Sequence, residues 1–285
     1  MVRLPPFVSV IIPAYNRALV LERAIDSVLG QTFRDFEIVV VDDGSTDGTE
    51  SLPVLRCGDE RLRYLRLPEN RGVSAARNCG VGETSAPWIA FLDSDDEWLP
   101  QKLERQVQWT IDNRDRPEAQ IVQTQEIWIR RGVRVNPPKS HEKRPGDLFA
   151  ASLERCMITP SSVMMQRSLF ERMGGFNEAL PACEDYDLWL RVTCCLPVGL
   201  INDFLLRRCG GHADQLSAMV PMLDRFRVRS ILDLLRNNRL TNEQERQAVE
   251  PLQRRAGIVA EGHRKRGNLE EYGNYQRILD EWCFR

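Results

Sequence analysis

Four short apolar runs, Val8–Ile12, Phe36–Val41, Arg61–Leu67 and Trp88–Leu92, are separated by helix-like stretches over the first third of the chain. After the first run, Leu21, Ala24, Ile25, Val28 and Leu29 recur at helical spacing, with Asn16 placed to cap that helix. Phe36–Val41 reads as a strand buried on both faces, as in a parallel sheet. Pro53 opens a short helix, Arg61–Leu67 alternates as a third strand, and Val73–Gly82 is a helix of small residues able to lie close to a sheet. Trp98–Ile111 is again helical. This βαβαβαβ order predicts an α/β fold: a right-handed, doubly wound, mostly parallel sheet with helices on both faces.

The pattern changes after about residue 115. Gln120–Arg130, Ser161–Gln166 and Val198–Arg207 read as further strands, and Asp185–Val192 as a helix with an acidic start. The polar, Pro-containing segment Asn136–Gly146 reads as a loop. From Pro221 onward the chain is helix-like and rich in Arg.

The 285 residues suffice for a sizeable core, and a net charge of −2 exerts no general pull on nucleic acid. No apolar stretch approaches the ~18 residues of a membrane-spanning helix, and the N-terminus lacks a signal-peptide run. The eight cysteines form no C-x-x-C pair. They read as packing thiols in a reducing cytoplasm rather than zinc ligands.

Ligands of open parallel sheets bind beyond the carboxyl ends of the strands. Three polar clusters fall there: Pro13-Ala14-Tyr15-Asn16, Asp42-Asp43-Gly44-Ser45-Thr46-Asp47 and Asp93-Ser94-Asp95-Asp96. Carboxylates crowded at one strand end repel unless a cation intervenes, and hard oxygen donors suit Mg²⁺ or Mn²⁺. The plainer alternative for the last cluster is a solvated acidic turn.

Together these residues resemble the family 2 glycosyltransferases of GT-A fold. The resemblance lies in V-S-V-I-I-P-A-Y-N (Val8–Asn16), Q-T-F-x-D-F-E-I-V-V-V-D-D-G-S-T-D (Gln31–Asp47), N-R-G-V-S-A-A-R-N (Asn70–Asn78), F-L-D-S-D-D (Phe91–Asp96) and G-G-F-N-E-x-L…E-D-Y-D-L-W-L-R (Gly174–Arg191). It covers roughly residues 7–212. It implies a nucleotide-sugar-binding half over 1–115, an acceptor-binding half over 116–215 and a helical extension over 216–285, the two halves sharing one sheet.

By this resemblance Asp43 accepts a hydrogen bond from the nucleotide base, Tyr15 packs on that base, and Pro13 and Ala14 line the site. Asp93-Ser94-Asp95 is the D-x-D motif, with Asp95 the metal ligand and Asp93 facing ribose or sugar. Arg77 holds the carboxylates or the diphosphate. Asp185 is the general base for an acceptor hydroxyl, although Glu184 and Asp187 are rivals and a carboxylate here also suits a helix N-terminus. His212, after Gly210-Gly211, is either an extra metal or phosphate ligand or a structural histidine. The implied cofactor is Mn²⁺ or Mg²⁺. The implied partners are a nucleotide-sugar donor, UDP first because Asp43 suits uracil's N–H, and a saccharide or lipid-linked saccharide acceptor.

Other classes fit less well. The chain lacks the Q-x-x-R-W motif of processive synthases, so single-sugar transfer is expected. It lacks the G-x-G-x-x-G of dehydrogenases and the glycine-rich basic loop of nucleotidyltransferases. A binding module that has lost transfer would not need both Asp95 and Asp185. In the tail, Val228, Ile231, Leu232 and Leu235 share a helical face flanked by Arg225, Arg229 and Arg236. That face would pack on the catalytic domain, lie peripherally on the inner membrane surface, or join two copies in a homodimer.

Overall fold

The computed structural model describes residues 5–211, 220–237 and 239–283. Strands β1 (Val8–Ala14), β2 (Phe36–Asp42), β3 (Leu62–Arg66) and β4 (Trp88–Phe91) run parallel in the order β3-β2-β1-β4, with helix α1 (Leu21–Leu29) after β1 and α2 (Val73–Gly82) before β4. Every residue of β1 is buried, as two-sided coverage requires. The periodic residues Leu21, Ala24, Ile25 and Val28 form the buried face of α1.

Asn16 does not cap α1. The helix opens later, after Val20, and receives no side-chain cap. Asn16 instead adopts a left-handed conformation (φ 53°). Its Oδ1 accepts from the Thr46 amide (2.8 Å) and its own amide donates to Ser45 Oγ (2.8 Å). The residue ties the loop after β1 to the loop after β2.

The chain continues through β5 (Glu97–Trp98), α3 (Lys102–Asp112), β6 (Ile121–Arg130), β7 (Val133–Val135), α4 (Phe149–Glu154), β8 (Val163–Gln166), α5 (Arg167–Met173), α6 (Glu184–Thr193) and β9 (Gly199–Gly210). Trp98 is therefore a strand residue, paired antiparallel with β9, and α3 starts only after Pro100. Proline disfavours the helical region for the residue before it, here Leu99. Strand β8 runs antiparallel to both β4 and β6, and β6 runs parallel to β9. Among the described residues one mixed sheet, ordered β3-β2-β1-β4-β8-β6-β9-β5, thus contains strands from both sides of residue 115.

Helices α7 (Asp224–Arg236), α8 (Asn242–Lys265) and α9 (Leu269–Glu281) complete the described chain. Thr241 and Gln244 form a capping box at the start of α8. The apolar face of α7 is not available to a membrane or a second copy. Val228, Ile231, Leu232, Leu234 and Leu235 are buried in one cluster with Phe149 and Leu153 of α4, Tyr186 and Leu190 of α6, and Leu252 of α8. The flanking arginines are engaged as well: Arg225 lies over the Phe226 ring, Arg229 donates to the Ala179 carbonyl, and Arg236 pairs with Glu281. That packing already removes the apolar area of this face from water, so little of it is left to gain at an interface. No helix among the described residues is long and apolar enough to cross a membrane.

Candidate active site

The carboxyl ends of β1, β2 and β4 hold the polar clusters singled out in the sequence. Pro13 and Ala14 are buried at the end of β1, and Tyr15, 44% exposed, stands at the rim. The Asp42-Asp43 pair divides its work. Asp42 is wholly buried, and its carboxylate accepts from the Ser45 amide and the Tyr64 hydroxyl. Asp43 accepts from the amides of Arg71 and Gly72, both at 2.8 Å. Burial raises its pKa, and these two hydrogen bonds only partly offset that. Gly44, at φ 76°, passes so close to Glu69 and Asn70 that a Cβ would clash with their backbone. The loop after β2 and the loop before α2 therefore form one packed floor.

Arg77 projects from α2 into the centre of the site. Its Nη2 donates to Asp93 (2.6 Å) and its Nη1 to Glu184 (2.7 Å), with the Phe176 ring 4.9 Å from the guanidinium carbon. The side chain is almost fully buried. Burial alone would lower its pKa, but Asp93 and Glu184 reverse that and hold it above the ordinary arginine value. Arg77 thus bridges two carboxylates from different elements.

The D-S-D-D cluster is also divided. Asp96 is buried and accepts from the Cys209 amide (2.8 Å), which ties the end of β9 to the end of β4. Burial, then the nearby Asp95 and Asp93, push its pKa well above the usual carboxylate range. Ser94 is buried, whereas Asp93 and Asp95 are partly exposed. The Asp93 amide donates to Ser161 Oγ (3.0 Å), and the Asp95 carbonyl accepts from Arg23 (2.8 Å). Among the described residues no group of three His, Cys, Asp or Glu side chains could hold a metal unaided. Magnesium commonly takes one or two carboxylates and completes its shell with water and substrate phosphate. Asp93 and Asp95 fit that kind of site.

The three acids opening α6 have different surroundings. Glu184 is committed to Arg77. Asp187 pairs with Arg191 (2.6 Å), which also donates to the carbonyls of Met173 and Gly175 and so fixes the Gly174-Gly175 turn. Asp185 is half-buried and forms no ion pair among the described residues; its Oδ2 accepts from the Cys156 thiol (3.2 Å). Burial, reinforced by Asp185, pushes that thiol's pKa well up, so it stays protonated as a donor. Cys183, immediately before, is left-handed at φ 62°, a strained setting for a non-glycine residue.

Residues 9–174 match the sequence pattern of glycosyl transferase family 2. The chain belongs to that family. An uncharacterized glycosyltransferase of Rickettsia felis is 34% identical over 205 residues, covering 71% of this chain and 34% of the relative. The chain thus spans about a third of that relative's length. The Escherichia coli UDP-Glc:alpha-D-GlcNAc-diphosphoundecaprenol beta-1,3-glucosyltransferase WfgD is 33% identical over 198 residues, covering 68% of this chain and 73% of the relative. Two solved structures share the fold. Staphylococcus aureus TarS 1-349 in complex with UDP-GlcNAc has TM-score 0.67 and 17% identity, covering 96% of this chain and 91% of that one. The Pyrobaculum calidifontis mannosyltransferase PcManGT in complex with GDP-Man and Mn²⁺ has TM-score 0.59 and 20% identity, covering 99% and 88%. The fold is GT-A.

Several polar contacts of this family 2 glycosyltransferase have no counterpart among the sequence expectations. Asn78 accepts from the Phe176 amide and donates to its carbonyl, joining the third motif to the fifth. Glu126, Trp128 and Arg130 follow a bulge in β6 and lie beside Arg208 of β9. Their i, i+2, i+4 spacing was the available signal, since it puts three polar or aromatic side chains on one face of a strand. Lys143, in the segment expected to be an open polar loop, is buried instead, donating to Gln123 and Ser162 and pairing with Glu126 (3.3 Å). His212 lies outside the described residues. Three cysteines, Cys57, Cys195 and Cys283, are exposed rather than packed.

Proposed function

We propose that this chain transfers a single sugar from a nucleoside-diphosphate sugar, UDP being preferred, to a hydroxyl with inversion. The carrying observation is the Arg77 bridge, which ties Asp93, at the strand ends suited to a donor, to Glu184, the residue beside Asp185. Asp185 takes the proton of the acceptor hydroxyl, that oxygen attacks the anomeric carbon, and the nucleoside diphosphate leaves from the opposite face. A single base opposite the leaving group gives one displacement and therefore inversion. Asp185 is preferred to Glu184 and Asp187 because those two are consumed by Arg77 and Arg191.

On the donor side, Asp43 keeps lone pairs for a base N–H beyond those used by Arg71 and Gly72, and Tyr15 covers the base. Asp95, with Asp93, would hold a divalent cation, which would supply positive charge against a departing diphosphate; the Mn²⁺ in the mannosyltransferase of the same fold supports this. The acceptor is a saccharide or lipid-linked saccharide destined for a cell-surface polysaccharide or glycolipid. The Escherichia coli relative, named for a diphosphoundecaprenol-linked substrate, supports that class.

A thermal-shift panel of nucleotide sugars with Mn²⁺ selects the donor, and donor turnover is then followed with and without acceptor. Asp185→Asn should lower kcat by roughly 10²–10⁴-fold with donor affinity unchanged. EDTA should stop turnover and Mn²⁺ or Mg²⁺ restore it, while Asp95→Asn stays folded and inactive. Full turnover in EDTA overturns the metal assignment. Lost donor affinity with surviving chemistry in Asp185→Asn overturns the base.

A further inference from the structure

Beyond the donor-side carboxylates, the ends of β6 and β9 carry a cluster of cations around one indole. Trp128 stands opposite Arg208 in the strand register, and Arg130 opposite Gly210. The Arg208 guanidinium carbon is 5.3 Å from the Trp128 ring centre, that of Arg130 is 4.8 Å away, and the His141 ring meets it edge-on at 5.4 Å. The indole N–H donates to Glu126 (2.6 Å), whose carboxylate also takes Thr159 (2.9 Å), Arg208 (3.3 Å) and Lys143 (3.3 Å).

Charge is unbalanced here. Glu126 is the carboxylate within ion-pair distance of both Lys143 and Arg208, and it is already saturated with donors. Arg130 and Arg155 have no carboxylate partner among the described residues. Arg130 donates to its own neighbour's carbonyl, at Ile129, and Arg155 to the Ser140 carbonyl. The cations feel one another: burial and then Arg208 hold the Arg130 pKa below the usual value, and burial, Arg155 and Arg208 do the same for His141. Two guanidiniums on one aromatic ring, partly exposed, form a fork suited to phosphate oxygens.

The cluster lies across the sheet from the nucleotide contacts and meets the strand-end carboxylates at Cys209, whose amide donates to Asp96. The proposed nucleotide contacts lie on β1, β2 and β4, whereas β6 and β9 come beyond β8 in the sheet. Glu126, which pairs with Arg208, also takes Thr159, three residues after Cys156, whose thiol donates to Asp185, so the cluster borders the base side of the site as well.

We propose that Arg130 and Arg208, astride Trp128, bind a phosphate carried by the acceptor, and that this contact presents the acceptor hydroxyl to Asp185. The inference rests on the transfer reading above and narrows its acceptor to a phosphate- or diphosphate-bearing saccharide. Trp128 supplies an apolar face for the sugar or the start of a lipid chain.

Undecyl diphosphate, which carries the anion without a sugar, is the probe. Its binding is measured by titration calorimetry with UDP and Mg²⁺ present, using undecyl maltoside as the neutral control and inorganic diphosphate as the chain-free one. The full chain should bind undecyl diphosphate and not the maltoside, and inorganic diphosphate should compete. Arg130→Gln, which removes no ion pair among the described residues, should weaken binding at least tenfold. It should leave UDP affinity within twofold and the melting temperature unchanged. Arg208→Lys, able to keep its pairing with Glu126, should give a smaller loss. Undiminished binding in Arg130→Gln, or a parallel loss of UDP affinity, overturns the proposal, the latter returning the cluster to the donor. Donor turnover is scored separately: an anion bound without any sugar transfer would refute the transfer reading and leave the site standing.

Discussion

Arg77 and Glu184 lie 107 positions apart in the chain, yet their charges are buried side by side. Removing one partner of such a pair leaves the other uncompensated, at a cost of roughly 3–5 kcal/mol. Arg77→Met should therefore lower unfolding stability in urea by about that amount. Arg77→Lys keeps the charge but cannot reach both carboxylates as a planar fork does. It should retain more of the stability while losing at least tenfold in kcat, because the base helix is no longer fixed against the donor side. Stability and kcat falling in strict proportion across the two variants would mean that Arg77 only holds the fold. The sequence marked Arg77 and the acids opening α6 as important, since motif spacing is local information. The resemblance put Asp185 ahead of Glu184 and Asp187, but the partners that distinguish the three, Cys156, Arg77 and Arg191, are defined only by tertiary contact.

Helix α2 places Arg77 because it can approach the sheet. A Cβ at Gly80 would stand 2.5 Å from Ile11 Cγ2 and 3.1 Å from Val41 Cγ2. Gly80→Ala should gain up to ~1 kcal/mol of helix propensity but lose about 1–3 kcal/mol to overpacking. A net loss with reduced turnover is expected in paired denaturation and activity measurements; a more stable, fully active variant would show that β1 and β2 yield easily. The span of α2 was legible from its run of small residues over Val73–Gly82. Trp98 was misassigned to a helix because its partner in β9, Leu206, lies more than a hundred residues on, and no local pattern announces an isolated two-residue strand.

At the scale of the whole molecule, the C-terminal helices buttress the proposed base. Tyr186, next to Asp185, donates to the Leu153 carbonyl, and Arg255 of α8 donates to the carbonyls of Leu153 and Glu154 while pairing with Asp224. Arg255→Ala leaves Asp224 to Arg227 alone, the Leu153 carbonyl to Tyr186 and the Glu154 carbonyl without this donor, so a stability loss of roughly 1–3 kcal/mol is expected. UDP affinity, set at the far strands, should not change; calorimetric unfolding and UDP titration read the two effects apart. The sheet order has a consequence for synthesis. Strand β4, Trp-Ile-Ala-Phe, pairs with β1 on one side, but its other edge is closed only by β8, which the ribosome makes some seventy residues later. At about 5–20 residues per second, that apolar edge stays open for roughly 4–14 s on every nascent chain. Each polysome therefore carries a row of identical unpaired strands, and yield in a fast-translating host should depend on chaperone supply through that interval.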